Sequence, residues 1–307
     1  MSASPEDPRR DDPEPWDEPG SEGAERTDEL VRLLDLERLD VDLYRGSHPR
    51  TRRRRLFGGQ VAAQALTAAQ RSVEEGLSVH SLHSYFLLAG DYEVPVILAV
   101  ERIRDGRSFA TRRVEARQHG RVIYYQTVSF HRHEEGYQHQ DVMPEVAGPE
   151  DGDDVLQAIL RSGAVEADSL ASEWGALDMR QVGTSQRGLE PDPRHPAQSR
   201  TWMRLRGRVP EDPAVHAALF TFASDVSLLG ASLAAHAVDP PQVQMASLDH
   251  TIWFHRPFPV DRWWLYDQWS PSAHGGRGLS FGGVFTPDGT LGASVAQEGI
   301  IRPRRQG

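Results

Sequence analysis

One plan occurs twice along this chain, and that repetition constrains its fold more than any other feature. In the first half, residues 61–69 are small and apolar almost all round, as a helix buried on every side must be. Strands with a period of two follow at 79–88, 94–104, 108–118 and 121–132, parted by turn signals at Ala89-Gly90-Asp91, Asp105-Gly106 and His119-Gly120. In the second half, strands near 177–182 and 198–208 precede a mostly helical stretch, 214–236. Further strands follow at 245–256, 263–271, 277–286 and 290–302, with a turn at Pro287-Asp288-Gly289. A buried helix with antiparallel strands around it is an α+β arrangement. The expected architecture is a tandem of two antiparallel sheets, each wrapped around a central helix and joined edge to edge. Joining them removes two exposed edges that otherwise invite association.

The segment 245–257 is the most informative of these strands. Simple alternation puts Ser247, Asp249 and Thr251 on one face, and Leu248, His250, Ile252 and Phe254 on the other. A weaker copy lies at 81–87. Superposing the two helical segments sets Gly58-Gly59-Gln60-Val61 over Ala223-Ser224-Asp225-Val226. The first copy thus has Gln60 where the second has Asp225. The glycine pair opens the first helix, where N–H groups point outward and a bare backbone admits close approach.

Composition fixes the rest of the frame. Residues 1–28 hold ten acids, three arginines and a single aromatic, too little apolar surface to offset the entropy of ordering, so a disordered tail is expected there. That tail carries net charge −7 of the chain's −11, which leaves a mildly acidic remainder and argues against a nucleic-acid partner. A first domain is expected over 29–133, a linker over 134–174 with helix in 155–173, and a second domain over 175–307. Residues 30–39 read as helix and 39–48 as strand. The chain has no cysteine and no lysine, which excludes disulfides, cysteine nucleophiles and Schiff-base lysines. No membrane span or secretory signal is evident, and the expected location is cytoplasmic.

Several strings then carry a family resemblance: Phe57-Gly58-Gly59-Gln60, His80-Ser81-Leu82-His83-Ser84-Tyr85-Phe86, Arg104-Asp105-Gly106-Arg107-Ser108-Phe109, Ala223-Ser224-Asp225, Asp249-His250-Thr251-Ile252-Trp253-Phe254-His255-Arg256 and Gln297-Glu298-Gly299. In this order, from about residue 30 to 303, the chain resembles the acyl-CoA thioesterase II family. The resemblance implies a double hotdog fold and hydrolysis of fatty acyl-CoA to free acid and coenzyme A. It also implies a catalytic set of Asp225, Ser247 and Gln297, with serine where many relatives have threonine. Coenzyme A is then part of the substrate, and neither a cofactor nor a metal is expected. A homo-oligomer, dimer or tetramer, is the expected assembly.

The chemistry suits those residue types. Thioester hydrolysis needs a positioned water, a group to take its proton, and donors for the oxyanion that develops. A carboxylate supplies the base, while a hydroxyl and an amide hold the water. Asp249 and His250 are neighbours on opposite faces of a strand, which makes them a poor acid–base pair and favours structural roles. Gly58, Gly59, Arg107 and Arg256 are candidates for substrate binding, the arginines because guanidinium forks suit phosphate oxygens. Arg277 and the run 52–55 share that chemistry. Two other readings use the same fold. A hotdog enoyl-CoA hydratase needs a histidine close to its aspartate, and none lies within five residues of Asp225. A non-catalytic acyl-CoA-binding protein has no need of all three polar groups.

Overall fold

The computed structural model describes residues 21–48, 55–163, 167–236, 238 and 242–304. In chain order, helix α1 (Ser21–Arg32) leads into the hairpin β1 (Glu37–Asp40) and β2 (Leu43–Gly46). Helix α2 (Gly58–Gln70) precedes β3 (Leu77–Phe86), β4 (Val96–Asp105), β5 (Phe109–Gln118) and β6 (Arg121–Arg132). A connecting region holds β7 (Asp153–Asp154), α3 (Val155–Arg161) and α4 (Ala167–Trp174). Then come β8 (Leu177–Thr184), β9 (Ala197–Leu205), α5 (Pro213–Ser224) and a 3-10 segment, Leu228–Leu233. The chain finishes with β10 (Val243–Ser247), β11 (Asp249–Phe254), β12 (Trp264–His274), β13 (Arg277–Phe285) and β14 (Leu291–Pro303).

These strands form one antiparallel sheet in the order β1-β2-β4-β5-β6-β3-β11-β14-β13-β12-β9-β8-β7, with β10 beside β14. Read outward from its centre, the order repeats: β3, β6, β5, β4, β2 on one side and β11, β14, β13, β12, β9 on the other. The halves meet where β3 pairs with β11, Tyr85 opposite Asp249 and Leu82 opposite Ile252. The edge-to-edge join expected from the repeat is this pairing. Local chemistry sets the hairpins. His119 and Gly120 both have positive φ (48° and 72°), the conformation whose twist matches a β5–β6 hairpin.

The small side chains of α2 do what the sequence asked of them. Ala62, Ala65, Leu66, Ala68 and Ala69 are all fully buried against the first-half strands and against α5. Phe57, just before α2, meets Phe222 edge-on at 5.0 Å, and a side chain on Gly59 would meet the Phe222 carbonyl oxygen at 2.4 Å. Glycine is required there, because the two helices touch through backbone.

Three expectations need correction. The acidic tail is not without structure up to residue 28: residues 1–20 lie outside the described residues, but Ser21–Arg32 is helix. Thr27, Leu30 and Leu34 recur on the three-to-four spacing of one face and are buried, and Thr27 Oγ1 accepts a hydrogen bond from Gly207 N at 2.9 Å. The helix placed at 30–39 and the strand at 39–48 give way to α1 and the β1–β2 hairpin, whose turn holds Asp42 at φ 55°. The connecting region is not a bare linker, since β7 extends the sheet beside β8 and Tyr92 donates from its hydroxyl to Glu173 of α4. The segment 214–236 is mostly helical, as expected, but in two pieces. It breaks after Ser224, and Leu228–Leu233 lies across β9, β12, β13 and β14 as the second half's central helix. By length and composition Pro213–Leu233 could cross a membrane, yet most of it is buried inside this fold.

Candidate active site

The break after Ser224 produces the site. Asp225 occupies the turn that ends α5, with φ −82° and ψ −9°. A carboxylate at a helix C-terminus faces the unfavourable end of that helix's dipole. Here it is turned towards the start of α2, whose N-cap residue, Phe57, provides no side-chain cap. The Gly59 N–H donates to Asp225, so a carboxylate from the second half caps a helix of the first. Gly58 leaves room for it: a Cβ there would fall 2.8 Å from Asp225 Oδ2 and 2.7 Å from the ring of Phe86.

Ser247 reaches the same carboxylate through a defect in its strand. Ser247 pairs with Gly299, whereas Thr251 pairs with Ala296. Four steps along one strand thus span three along β14, which is a β-bulge around Leu248. The extra residue reverses the alternation. Ser247 therefore faces the interior, the side occupied by His250 and Ile252, instead of sharing a face with Asp249 and Thr251. Its Oγ donates to Asp225 Oδ1 at 3.3 Å. Asp249, on the other side, accepts from Glu298 N at 2.6 Å and pins the bulge to β14.

Gln297 comes from the inward-facing row of β14 and is fully buried. Its Nε2 donates to Asp225 Oδ1 at 2.5 Å and to Ser247 Oγ at 2.9 Å. The three residues singled out by the resemblance thus form one hydrogen-bonded triangle, built from a helix end, a bulge and a straight strand. Burial pushes the Asp225 carboxyl up to about 6, against the pull of hydrogen bonds from Gln297, Ser247 and the Gly59 N–H. Such a group is mostly ionised at neutral pH and basic enough to take a proton from water.

His250 lies close by without joining the triangle. It is fully buried, its Nε2 is 2.8 Å from Ser224 Oγ, and burial alone pushes it down to about 3, so it is neutral at physiological pH. The sequence offered no histidine near Asp225; the fold brings one to its neighbour, but as a neutral partner of a serine. The hydroxyl of Tyr266 donates to Ser224 O at 3.2 Å, and the buried Tyr124 donates to Gln126 at 2.7 Å. Sequence reasoning missed these tyrosines, whose inward parity along β12 and β6 was their one signal.

Of the phosphate-binding candidates, Arg107 and Arg256 are not gathered here. Arg256 follows the far end of β11, nine residues along the chain from Ser247, and donates to the Leu291 carbonyl at 3.2 Å. Arg107 sits exposed in the β4–β5 turn, beside Phe109, which is linked through His131 to Ser78 at the end of β3 remote from Phe86. Arg277 pairs with Glu298 at 2.9 Å. Arg55 is exposed three residues before Gly58, and residues 52–54 lie outside the described residues. Gly58 and Gly59, in contrast, do border the triangle.

Fold and site together describe a tandem hotdog enzyme with its polar centre where the halves join. Two family models match the chain, "Acyl-CoA thioesterase N-terminal domain" over residues 47–131 and "Acyl-CoA thioesterase" over residues 190–300. Acyl-coenzyme A thioesterase 8 of Mus musculus is 41% identical over 295 residues, covering 90% of each chain. Acyl-CoA thioesterase 2 of Haemophilus influenzae is 37% identical, over 89% of this chain and 96% of that one. Among solved structures, the acyl-CoA thioesterase II TesB2 from Mycobacterium marinum aligns at TM-score 0.78 and 42% identity, over 91% of this chain and all of that one. The chain belongs to the acyl-CoA thioesterase II family and is a thioester hydrolase. The hydratase reading and the non-catalytic reading fall with that result.

Proposed function

We propose that this protein hydrolyses fatty acyl-CoA by direct attack of a water activated by Asp225, Ser247 and Gln297. The observation that carries the reading is the triangle itself, in which one carboxylate collects donors from Gln297, Ser247 and the start of α2. Asp225 is the base. It takes the proton as the water oxygen attacks the thioester carbonyl, and Ser247 and Gln297 hold that water in line. The Gly58 and Gln60 N–H groups, in the first turn of α2, have no acceptor within their helix and lie where a developing oxyanion could be met. Collapse of the tetrahedral intermediate expels the thiolate of coenzyme A and leaves the free acid. No covalent acyl-enzyme is required, and Ser247, bonded to a carboxylate and an amide, acts through orientation.

The test is steady-state hydrolysis of one acyl-CoA, followed by release of free thiol. Asp225→Asn keeps the shape and removes the base, so kcat should fall by about two to four orders of magnitude, the usual share of general-base catalysis. A folded Asp225→Asn protein with undiminished kcat places the chemistry elsewhere.

A further inference from the structure

Among the described residues, the buried polar atoms on the inner face of the second half that have no hydrogen-bond partner include His250 Nδ1, Trp264 Nε1, Gln297 Oε1, Ser280 Oγ and Gln268 Oε1, and the last three stand together. They belong to one patch. Ser280 of β13 pairs directly with Gln297 of β14, and Gln268 of β12 pairs with Gly282, one diagonal step from Ser280. All three residues are essentially unexposed, and all point to the side covered by the Leu228–Leu233 segment. Both glutamines are held at their other end. Gln297 Nε2 is spent on Asp225 and Ser247, and Gln268 Nε2 donates to Ser227 Oγ at 2.7 Å, in the turn that carries Asp225. Each amide therefore turns a carbonyl oxygen inward, and a buried oxygen left without a donor keeps the full penalty of its desolvation.

The donors and acceptors balance around a single bridging molecule. One water can donate to Gln297 Oε1 and to Gln268 Oε1 while accepting from the Ser280 hydroxyl, which makes the three hydrogen bonds typical of a buried structural water. We propose that Ser280 is a positioning residue for the hydrolysis: its hydroxyl anchors a fixed water that ties the Gln297 amide to the 225–227 turn through Gln268. This inference rests on the catalytic reading of Gln297. The bridged water is distinct from the attacking one, because it lies on the side of Gln297 away from Asp225. Its role is to keep Nε2 aimed at the carboxylate. Without Ser280 the Gln297 carbonyl oxygen gains by leaving its site in search of a donor, and it takes the amide with it.

Ser280→Ala is the direct test, since it removes one hydroxyl from a buried site at nearly constant shape. The expected result is a kcat about tenfold lower, with KM within twofold and a thermal midpoint close to that of the parent. Gln268→Met should reduce kcat as well, and the double variant should be no worse than the weaker single one, because both remove the same bridge. Unchanged kcat in Ser280→Ala, or fully additive losses in the double variant, overturns the proposal. A crystal structure offers a second readout: a water bonded to all three atoms is expected, and direct protein partners for those atoms contradict it. Gln297→Ala in the same series keeps the two ideas apart. If it retains full kcat, the catalytic reading has failed; if it is crippled while Ser280→Ala is not, only the bridge has.

Discussion

The halves share a strand order and differ most in their central helices. In the first half α2 is an unbroken helix of 13 residues, and Gln60 in its first turn is buried and donates to the Ser47 carbonyl at 3.2 Å. In the second half the helical stretch breaks at Asp225, and a 3-10 segment takes the place beneath the sheet. The inward rows of the strands follow suit. Leu98, Ala110, Val114, Ala116, Val128 and Phe130 line most of the first, with Arg112 and Gln126 set among them, whereas Gln268, Ser270, Ser280 and Gln297 cut across the second. One copy of the plan has kept a core. The other holds a polar site in its core, and the first copy contributes to that site the bare, positively polarised start of α2. The lesson is that duplication allowed catalytic cost to be concentrated: a buried carboxylate and a broken helix are tolerated in one half while the other remains a well-packed support.

That division of labour can be attacked from either side. The largest effect among the supporting residues is expected at Gln297, where alanine removes the donor shared by Asp225 and Ser247 and should lower kcat about 100-fold, the range for loss of one preorganised donor. A kcat within threefold of the parent, measured on folded protein, breaks the triangle. Gly59→Ala comes next. Its new methyl group would fall 2.4 Å from the Phe222 carbonyl, so α2 must shift against α5 and against Asp225. A loss of up to about 100-fold in kcat/KM should follow, as for misplacement of reacting groups by about 1 Å, together with a lower Tm. An unaffected Gly59→Ala variant shows that the first half does not set the geometry of the site.

Truncation sharpens the comparison further. Removing residues 1–20 should leave activity and Tm unchanged, whereas removing 1–32 also strips Thr27 and Leu30 from their buried positions. That loss of about 2 kcal/mol or more should lower Tm by about 3 °C or more in a chain of this size. Equal Tm values for the two truncations contradict the packing of α1. The smallest effects belong to Gln60→Ala and Ser247→Thr, each expected within a few-fold of parental kcat. The first removes a side chain that serves only the support and leaves the backbone N–H in place, and the second keeps the hydroxyl. A tenfold loss in Gln60→Ala makes the Gln60 side chain a partner in the chemistry and not a part of the scaffold.

What the sequence revealed followed from periodicity. Strands β3 to β6 and β12 to β14 lie close to where alternation placed them, and the all-round apolar run at 61–69 is α2. Three features escaped for physical reasons. Helix α1 is rich in acids because its outer face meets solvent, and that composition hid a short apolar stripe. The bulge at Leu248 has no glycine or proline to announce it, for a bulge is defined by the strand opposite, and only the register with β14 exposes it. The break at Asp225 falls in a segment otherwise apolar enough to continue as helix. Both hidden features re-aim catalytic candidates, so the identity of Asp225 and Ser247 was legible by resemblance while the way they meet was not. Arg107 and Arg256 were chosen for their chemistry alone, and chemistry without register did not bring them to the site.

The most direct test of the account is the pH dependence of kcat/KM for the parent protein beside Asp225→Asn. Burial raises the Asp225 carboxyl to about 6, and the base must be ionised to work. Activity of the parent should therefore be low below pH 5, rise with a midpoint near 6 and level off above about 7, one proton being lost across the limb. In Asp225→Asn that limb should vanish, leaving a flat profile about two to four orders of magnitude lower. If the folded variant keeps the same midpoint and the same plateau, Asp225 is not the base and the site does not lie where the two halves join.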